Sequence, residues 1–221
     1  MPAGILSIWN DRDEEIAELY ERWYLNEHLP ERLGVPGFIA ARRYEAVHGP
    51  RRFLTYYDVE SPAVLTSAAY LARVAAPSAL TRQVMAHFRN MTRTVCTLAY
   101  RAGDACGGYA AVAYLEQPAL VEMNLLLGEA RHFANDASAI GVQAWHAERD
   151  PAHGATTEAK LRPGGDRRIE AALVVDAMRE ADAEWLEERV AGALRRSVKG
   201  EIPKLESGVY KLLGVWEARK P

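Results

Sequence analysis

A chain of 221 residues, 49% hydrophobic and 26% charged, is long enough for one large domain or two small ones and has the make-up of an ordinary globular protein. Its net charge of −3 offers no basic stripe for nucleic acid and no polybasic patch for a membrane.

Residues 4–9 are short, apolar and β-prone and read as a first strand. Asp11 stands as a helix N-cap, with Glu14 three residues on as its capping-box partner. Ile16, Leu19, Tyr20 and Trp23 then recur at helical spacing, and Tyr20, Tyr24 and His28 form an adjacent stripe. Pro30 and Gly34 mark the expected end of this helix, and Val35-Pro36-Gly37 the turn after it. Residues 38–47 read as a second strand, with Phe38, Ala40, Arg42 and Tyr44 on one face and Ile39, Ala41, Arg43 and Glu45 on the other. His48-Gly49-Pro50 turns the chain into a third strand over 52–59. Ser61-Pro62 opens a second helical region, which Pro77 divides, and residues 92–100 form a fourth strand. The order is β-α-β-β-α-β, the split arrangement of a ferredoxin-like sandwich.

After a small, flexible join at 103–108 the order repeats. Strands are expected at 109–115, 140–148, 169–176 and 209–216, with helices at 118–135 and 180–198. Both halves carry a His-Gly turn, His48-Gly49 and His153-Gly154. The second half differs in a long link, 150–168, holding Pro151, Gly154, Pro163, Gly164 and Gly165; such a loop is either flexible or a lid. Apolar residues fall on both faces of the third strand, with Phe53, Thr55 and Tyr57 one way and Leu54 and Tyr56 the other. A lone half would expose too much apolar surface, so the halves are expected to close on each other. The expected fold is α+β: two antiparallel sheets, from a first half (1–104) and a divergent second half (105–221), forming a barrel-like pseudo-dimer within one chain with helices outside.

The stretch W-Y-x-x-E-H-L-P-E-R-L-x-V-P-G-F-x-x-A-R-R-Y, from Trp23 to Tyr44, resembles the signature of bacterial proteins in the dimeric α/β barrel superfamily, close to the EthD-type group. The resemblance continues through Tyr56-Tyr57-Asp58-Val59-Glu60-Ser61-Pro62 and in Ser67 to Leu71, Thr81-Arg82 and Phe88-Arg89, covering roughly residues 5 to 100. The second half departs from it: aligning Tyr44 with His146 puts Ala130 where His28 stands. The superfamily includes monooxygenases, isomerases, decarboxylase-like and haem-dependent enzymes. The resemblance therefore implies a ferredoxin-like duplication and often a small hydrophobic or aromatic ligand in the barrel, and leaves the function open.

His28 is the best single candidate for chemistry, as general acid or base; its other reading is a helix cap bonding free carbonyls beside Pro30. Tyr20, Trp23 and Tyr24 are candidates for an aromatic pocket, and core packing is the competing account of the same spacing. Tyr44 and Tyr57 on the hairpin are further ligand candidates, as is Arg43; Arg42 and Arg43 point to opposite faces, and the one inside the barrel would meet an anion or carbonyl. No H-x-H, H-E-x-x-H or C-x-x-C spacing is present, so neither metal nor other cofactor is expected. Cys96 and Cys106, without metal-type spacing, suggest inert thiols in a reducing compartment. Residues 1–5 lack the features of a signal peptide, and no apolar run approaches the roughly 20 residues that span a bilayer, so a cytoplasmic protein is expected. Two functions compete: a cofactor-free enzyme acting on a small hydrophobic or aromatic, polyketide-like compound through His28, and a non-catalytic binding or assembly module with a packed core. Nucleic acid and membrane are not expected partners, and a homodimer is compatible with either function. The volume of the barrel cavity decides between them: a barrel filled by Trp and Tyr side chains would sink the enzyme reading.

Overall fold

A computed structural model describes residues 3–103, 105–150, 154–202 and 204–219. The expected boundary at 104, Pro151 of the long link and His153 of the second His-Gly turn lie outside the described residues. Eight strands carry the fold: β1 (Gly4–Arg12), β2 (Phe38–His48), β3 (Phe53–Val59), β4 (Phe88–Ala102), β5 (Tyr109–Glu116), β6 (Gly141–Ala147), β7 (Ile169–Ala177) and β8 (Leu205–Glu217). They close into one antiparallel barrel in the order β1-β3-β2-β8-β5-β7-β6-β4. The first four lie as β4-β1-β3-β2 and the last four as β8-β5-β7-β6, so each set has the strand order of a ferredoxin-like sheet. The expected pair of packed sheets is in fact one continuous sheet. β2 bonds to β8 and β4 to β6, so the edges of each set are satisfied by the other within the same chain.

Alternation along the strands divides the core in three. Ile5, Trp9, Tyr44, Leu54, Tyr56, Val112, Tyr114, Trp145, Val174 and Tyr210 fill the barrel. Their rings interlock, with Trp9 and Tyr114 centroids 4.5 Å apart and Tyr56 and Trp145 4.9 Å apart. Outside, Leu6, Ile8, Phe53 and Tyr57 take one helical layer, which includes Tyr20, Trp23, Tyr70 and Val84. Ala111, Ala113, Val142, Leu173 and Val175 take the other, made by α5 (Met123–Phe133) and α7 (Glu180–Arg196).

Four local expectations are corrected. β1 runs through Asp11, whose carboxylate accepts from the backbone N–H of Arg52 at 2.7 Å, so Asp11 caps nothing. The first helix does not stop at Pro30. It runs as α1 (Ala17–Trp23), a π-turn (Tyr24–His28) and α2 (Leu29–Leu33), with the Leu29 N–H donating to the Tyr24 carbonyl five residues back. This widened turn stands just before the residue that lacks an N–H, which lets the helix continue past the proline. In β2 a bulge between Phe38 and Ala40 shifts the alternation, so Phe38, Ala41 and Arg43 face the helices. Within 150–168 lies a short helix, α6 (Thr157–Leu161), begun by Thr156, whose Oγ1 accepts from the Ala159 N–H at 3.1 Å.

The packed interior gives a direct test. Trp9→Ala removes a fully buried ring from the centre of the barrel and should cost about 3–5 kcal/mol, read as a lower urea midpoint with the same m-value.

Candidate ligand site

With the barrel full, open space lies on its outer face. A cavity of about 30 Å³ sits between the strands and the first helical layer. Leu6 and Ile8 of β1 form its floor, with Met91 and Arg93 of β4; Tyr24, His28 and Arg32 descend from the helix above. Tyr70 of α3 (Ala68–Ala75), Met85 of α4 (Ala79–Met85) and Phe88 close the sides, and Glu158 and Arg162 close the remaining face. A space of this size holds one or two waters.

The π-turn presents His28. Glu27, one residue earlier, accepts from Ser78 Oγ at 2.5 Å and Thr81 Oγ1 at 2.7 Å, while the Trp23 indole N–H donates to Thr81 Oγ1 at 2.9 Å. These bonds tie the helix to α4. The His28 ring lies against Trp23, with centroids 4.4 Å apart, and against Tyr24 at 5.2 Å. Only 6% of His28 is exposed, and no side-chain hydrogen bond joins it to another described residue, so it is not a helix cap. Burial, with the charges of Arg32, Arg162 and Arg43, holds its pKa well below 6.5. The imidazole is therefore neutral at pH 7 and keeps one unprotonated nitrogen that can accept a hydrogen bond.

Arg32, 2% exposed, follows His28 by one helical turn. Its Nη2 reaches both carboxylate oxygens of Glu158 at 2.5 Å, while Nη1 is buried with no partner among the described residues. Burial opposes its charge, and Glu158, with Tyr70 and Tyr57, more than offsets that and raises its pKa. Arg93 bonds Asp150 at 2.9 Å and the Tyr70 hydroxyl at 3.0 Å, and Arg162 pairs with Asp166.

The other candidates disperse. Tyr24 lines the cavity and bonds Thr55 Oγ1 at 3.0 Å. Trp23 backs His28, while Tyr20 lies deeper, its hydroxyl accepting from Asn10 at 3.1 Å. Tyr57 faces the same layer, and its hydroxyl adjoins that of Tyr24 without a well-aligned hydrogen bond. Arg43 is outside the barrel, paired with Glu21 at 2.5 and 2.7 Å and lying 4.3 Å over the Tyr24 ring. It is Arg42 that faces inward, at the barrel mouth, where it pairs with Asp58 beside Arg101. Tyr44 is in the packed interior and donates to Asp176 at 3.2 Å. The sequence reading missed Arg32, Tyr70, Arg93, Glu158 and Arg162. Arg32 was readable as the residue four after His28, had the helix been carried through Pro30. Nothing local in 150–168 signals that Glu158 meets Arg32.

A haem, which the superfamily resemblance allows, does not fit these residues. Arg32, Arg93, Glu158 and Arg162 line the space at His28 where an apolar macrocycle would have to lie, and the face of the second half is filled by Leu126, Ala130, Phe133, Leu186 and Leu194. On the surface, Asp13, Glu15 and His87 bring ligand-type atoms within 4.8 Å of one another, and Arg89 engages Asp13 at 2.5 Å. No described helix is long and apolar enough to cross a membrane.

No family profile and no curated protein matches this sequence. Solved structures do match over nearly its whole length. An anthrone oxidase-like protein is 12% identical, with a TM-score of 0.63 over 99% of this chain and 94% of its own. A candidate monooxygenase from Fusobacterium nucleatum is 9% identical, with a TM-score of 0.58 over 100% and 99%. Another from Lactobacillus acidophilus is 7% identical, with a TM-score of 0.52 over 97% and 99%. These neighbours are dimeric α/β barrels, and the chain has that fold.

The neutral histidine predicts a pH dependence. Unfolded His28 takes up a proton below about pH 6.5 while the native residue does not, so its contribution to stability is full above that pH and falls on acidification. The slope from this residue should reach at most about 1.4 kcal/mol per pH unit. Asp176, pushed up to about 6 by burial, acts oppositely, gaining a proton on folding as pH falls through 6. Comparing urea unfolding of the wild type and His28→Gln at pH 7.5 and 5 cancels the Asp176 contribution; the variant should lose less stability on acidification.

Proposed function

We propose that this protein binds a small hydrophobic or aromatic compound on the outer face of its first half, with His28 as a cofactor-free general base. The observation that carries this reading is that a neutral buried imidazole and a buried guanidinium, whose Nη1 has no partner among the described residues, line one cavity together with apolar and aromatic side chains. Leu6, Ile8, Tyr70 and Phe88 would receive the hydrophobic body. A ligand oxygen would accept from Arg32, and His28 would take a proton from the C–H or O–H beside it, Arg32 holding the charge that develops on oxygen. The names of the neighbours, anthrone oxidase-like and monooxygenase, suit compounds of a polyketide-like kind.

We take residues 1–104 and 105–221 as two ferredoxin-like units from a duplication; the matched strand orders support this. Aligning the halves sets Ala130, buried in the second layer, against His28, which supports assigning the His28 arrangement to the first unit alone. The free thiols of Cys96 and Cys106 favour a reducing compartment. A second reading, a non-catalytic module, is supported by the Trp and Tyr packing inside the barrel and by the small cavity. The ring packing meets the condition set against an enzyme acting inside the barrel, so the proposed ligand site moves from the barrel to the outer face.

A thermal-shift screen of aromatic ketones, phenols and acids separates the readings. His28→Ala should weaken any hit by roughly tenfold or more, about 1.4 kcal/mol, and should abolish turnover of that hit. An unchanged shift in the variant would favour the non-catalytic module.

A further inference from the structure

The segment that closes the His28 cavity comes from the other half of the barrel. Between β6 and β7 in the sequence, α6 lies against α3 and α4 of the first half. Its far end is fastened to β4: the Arg167 N–H donates to the Met91 carbonyl and the Arg93 N–H to the Arg167 carbonyl, both at 2.9 Å. Leu161 packs on the first helical layer. The segment is bracketed by Gly154 at φ 69° and by Gly164 and Gly165 at φ 81° and 70°, each with nothing within 4 Å of the position a Cβ would take. Left-handed glycines without packing are suitable hinges.

The principal polar contact between α6 and the helix above the cavity is Arg32–Glu158. Both residues are buried, at 2% and 6% exposed. Glu158 occupies Arg32 through Nη2 alone and leaves Nη1 buried with no partner among the described residues, although a guanidinium can bind a carboxylate through two nitrogens at once. A buried ion pair contributes little net stability, and both groups would regain water on opening. Removing Glu158 would leave a buried cation beside the apolar walls formed by Leu6, Ile8, Tyr70 and Phe88.

We propose that residues 154–166 form a displaceable cover and that Glu158 is an internal carboxylate holding the Arg32 seat that the carboxylate of an aromatic acid takes when the cover opens. This rests on the reading of the His28 cavity as the ligand site and adds the class of ligand and how it is admitted. The cavity is small because the structure is the closed state, with the cover's own carboxylate in place of the ligand's.

The test uses 2-naphthoate as probe, 2-naphthalenemethanol as its neutral counterpart, and amide hydrogen exchange without ligand. Glu158→Gln removes the internal charge; Leu161→Ser loosens the cover while keeping the ion pair. In both variants amides of 154–166 should exchange about tenfold faster or more, with those of β1 and β4 unchanged. Glu158→Gln should bind 2-naphthoate about tenfold tighter than wild type and prefer it to the alcohol. Wild-type exchange rates in both variants would overturn the cover. Unimproved naphthoate binding in Glu158→Gln, or equal binding of the alcohol, would overturn the internal-carboxylate role. Faster exchange together with ligand shifts that survive His28→Ala would uphold the cover and remove the function proposed for His28. The converse, loss of ligand in His28→Ala with unaltered exchange in both cover variants, would leave His28 and remove the cover.

Discussion

Closure of eight strands within one chain is the constraint on which the rest depends. A barrel of this size has an interior just wide enough for side chains, and here Trp9, Tyr44, Tyr56, Tyr114, Trp145 and Tyr210 take that volume. Closure also supplies a partner to every sheet edge, through β2 with β8 and β4 with β6. What is left apolar is the outside of the barrel, and two helical layers cover it. Among the described residues, the cavity at His28 lies between the first helical layer and the strands.

The two helical layers differ in make-up. The second is built from small and aliphatic residues, Ala130, Ala183, Leu186, Val190 and Leu194, and closes tightly. The first contains aromatic rings and buried guanidinium groups. Arg43 is held by Glu21 and by the Tyr24 face, and Arg32 by Glu158 and the Tyr70 ring at 5.8 Å. Buried cations are tolerated because each has a carboxylate and an aromatic face. Their summed field also works with burial to keep His28 neutral, so the electrostatics that stabilise the layer also set the state of its one imidazole.

The helix that carries His28 shows how local and tertiary forces divide. Apolar spacing places Ile16, Tyr20 and Trp23 on the barrel as periodicity predicts. Pro30 would ordinarily end such a helix, yet a π-turn absorbs the missing donor and the helix reaches Leu33. That extra turn brings Arg32 to the cavity. Packing of Trp23 against Thr81 and of Tyr24 against Thr55, both distant in sequence, outweighs the local signal to stop.

Much of the architecture was legible because strands and helices of this chain have clean periods of two and 3.6, and because apolar residues on both strand faces require cover on both. The order of strands and helices along the chain, the closure of the halves, and His28 with Tyr24 as a neighbouring pair follow from such local patterns. Which of Arg42 and Arg43 faces inward did not, since a bulge between Phe38 and Ala40 puts Phe38 on the face of Arg43 and composition does not mark where a bulge falls. The packed interior was likewise decided by how facing rings from six different strands meet. The Arg32–Glu158 contact spans 126 positions and joins a helix of one half to the β6–β7 connection of the other. By itself the sequence determined the periodic elements and the need for two covered faces, because those arise from neighbours along the chain. Only the tertiary structure decided which face keeps a cavity and which carboxylate closes it, because those depend on residues that meet only when the barrel shuts.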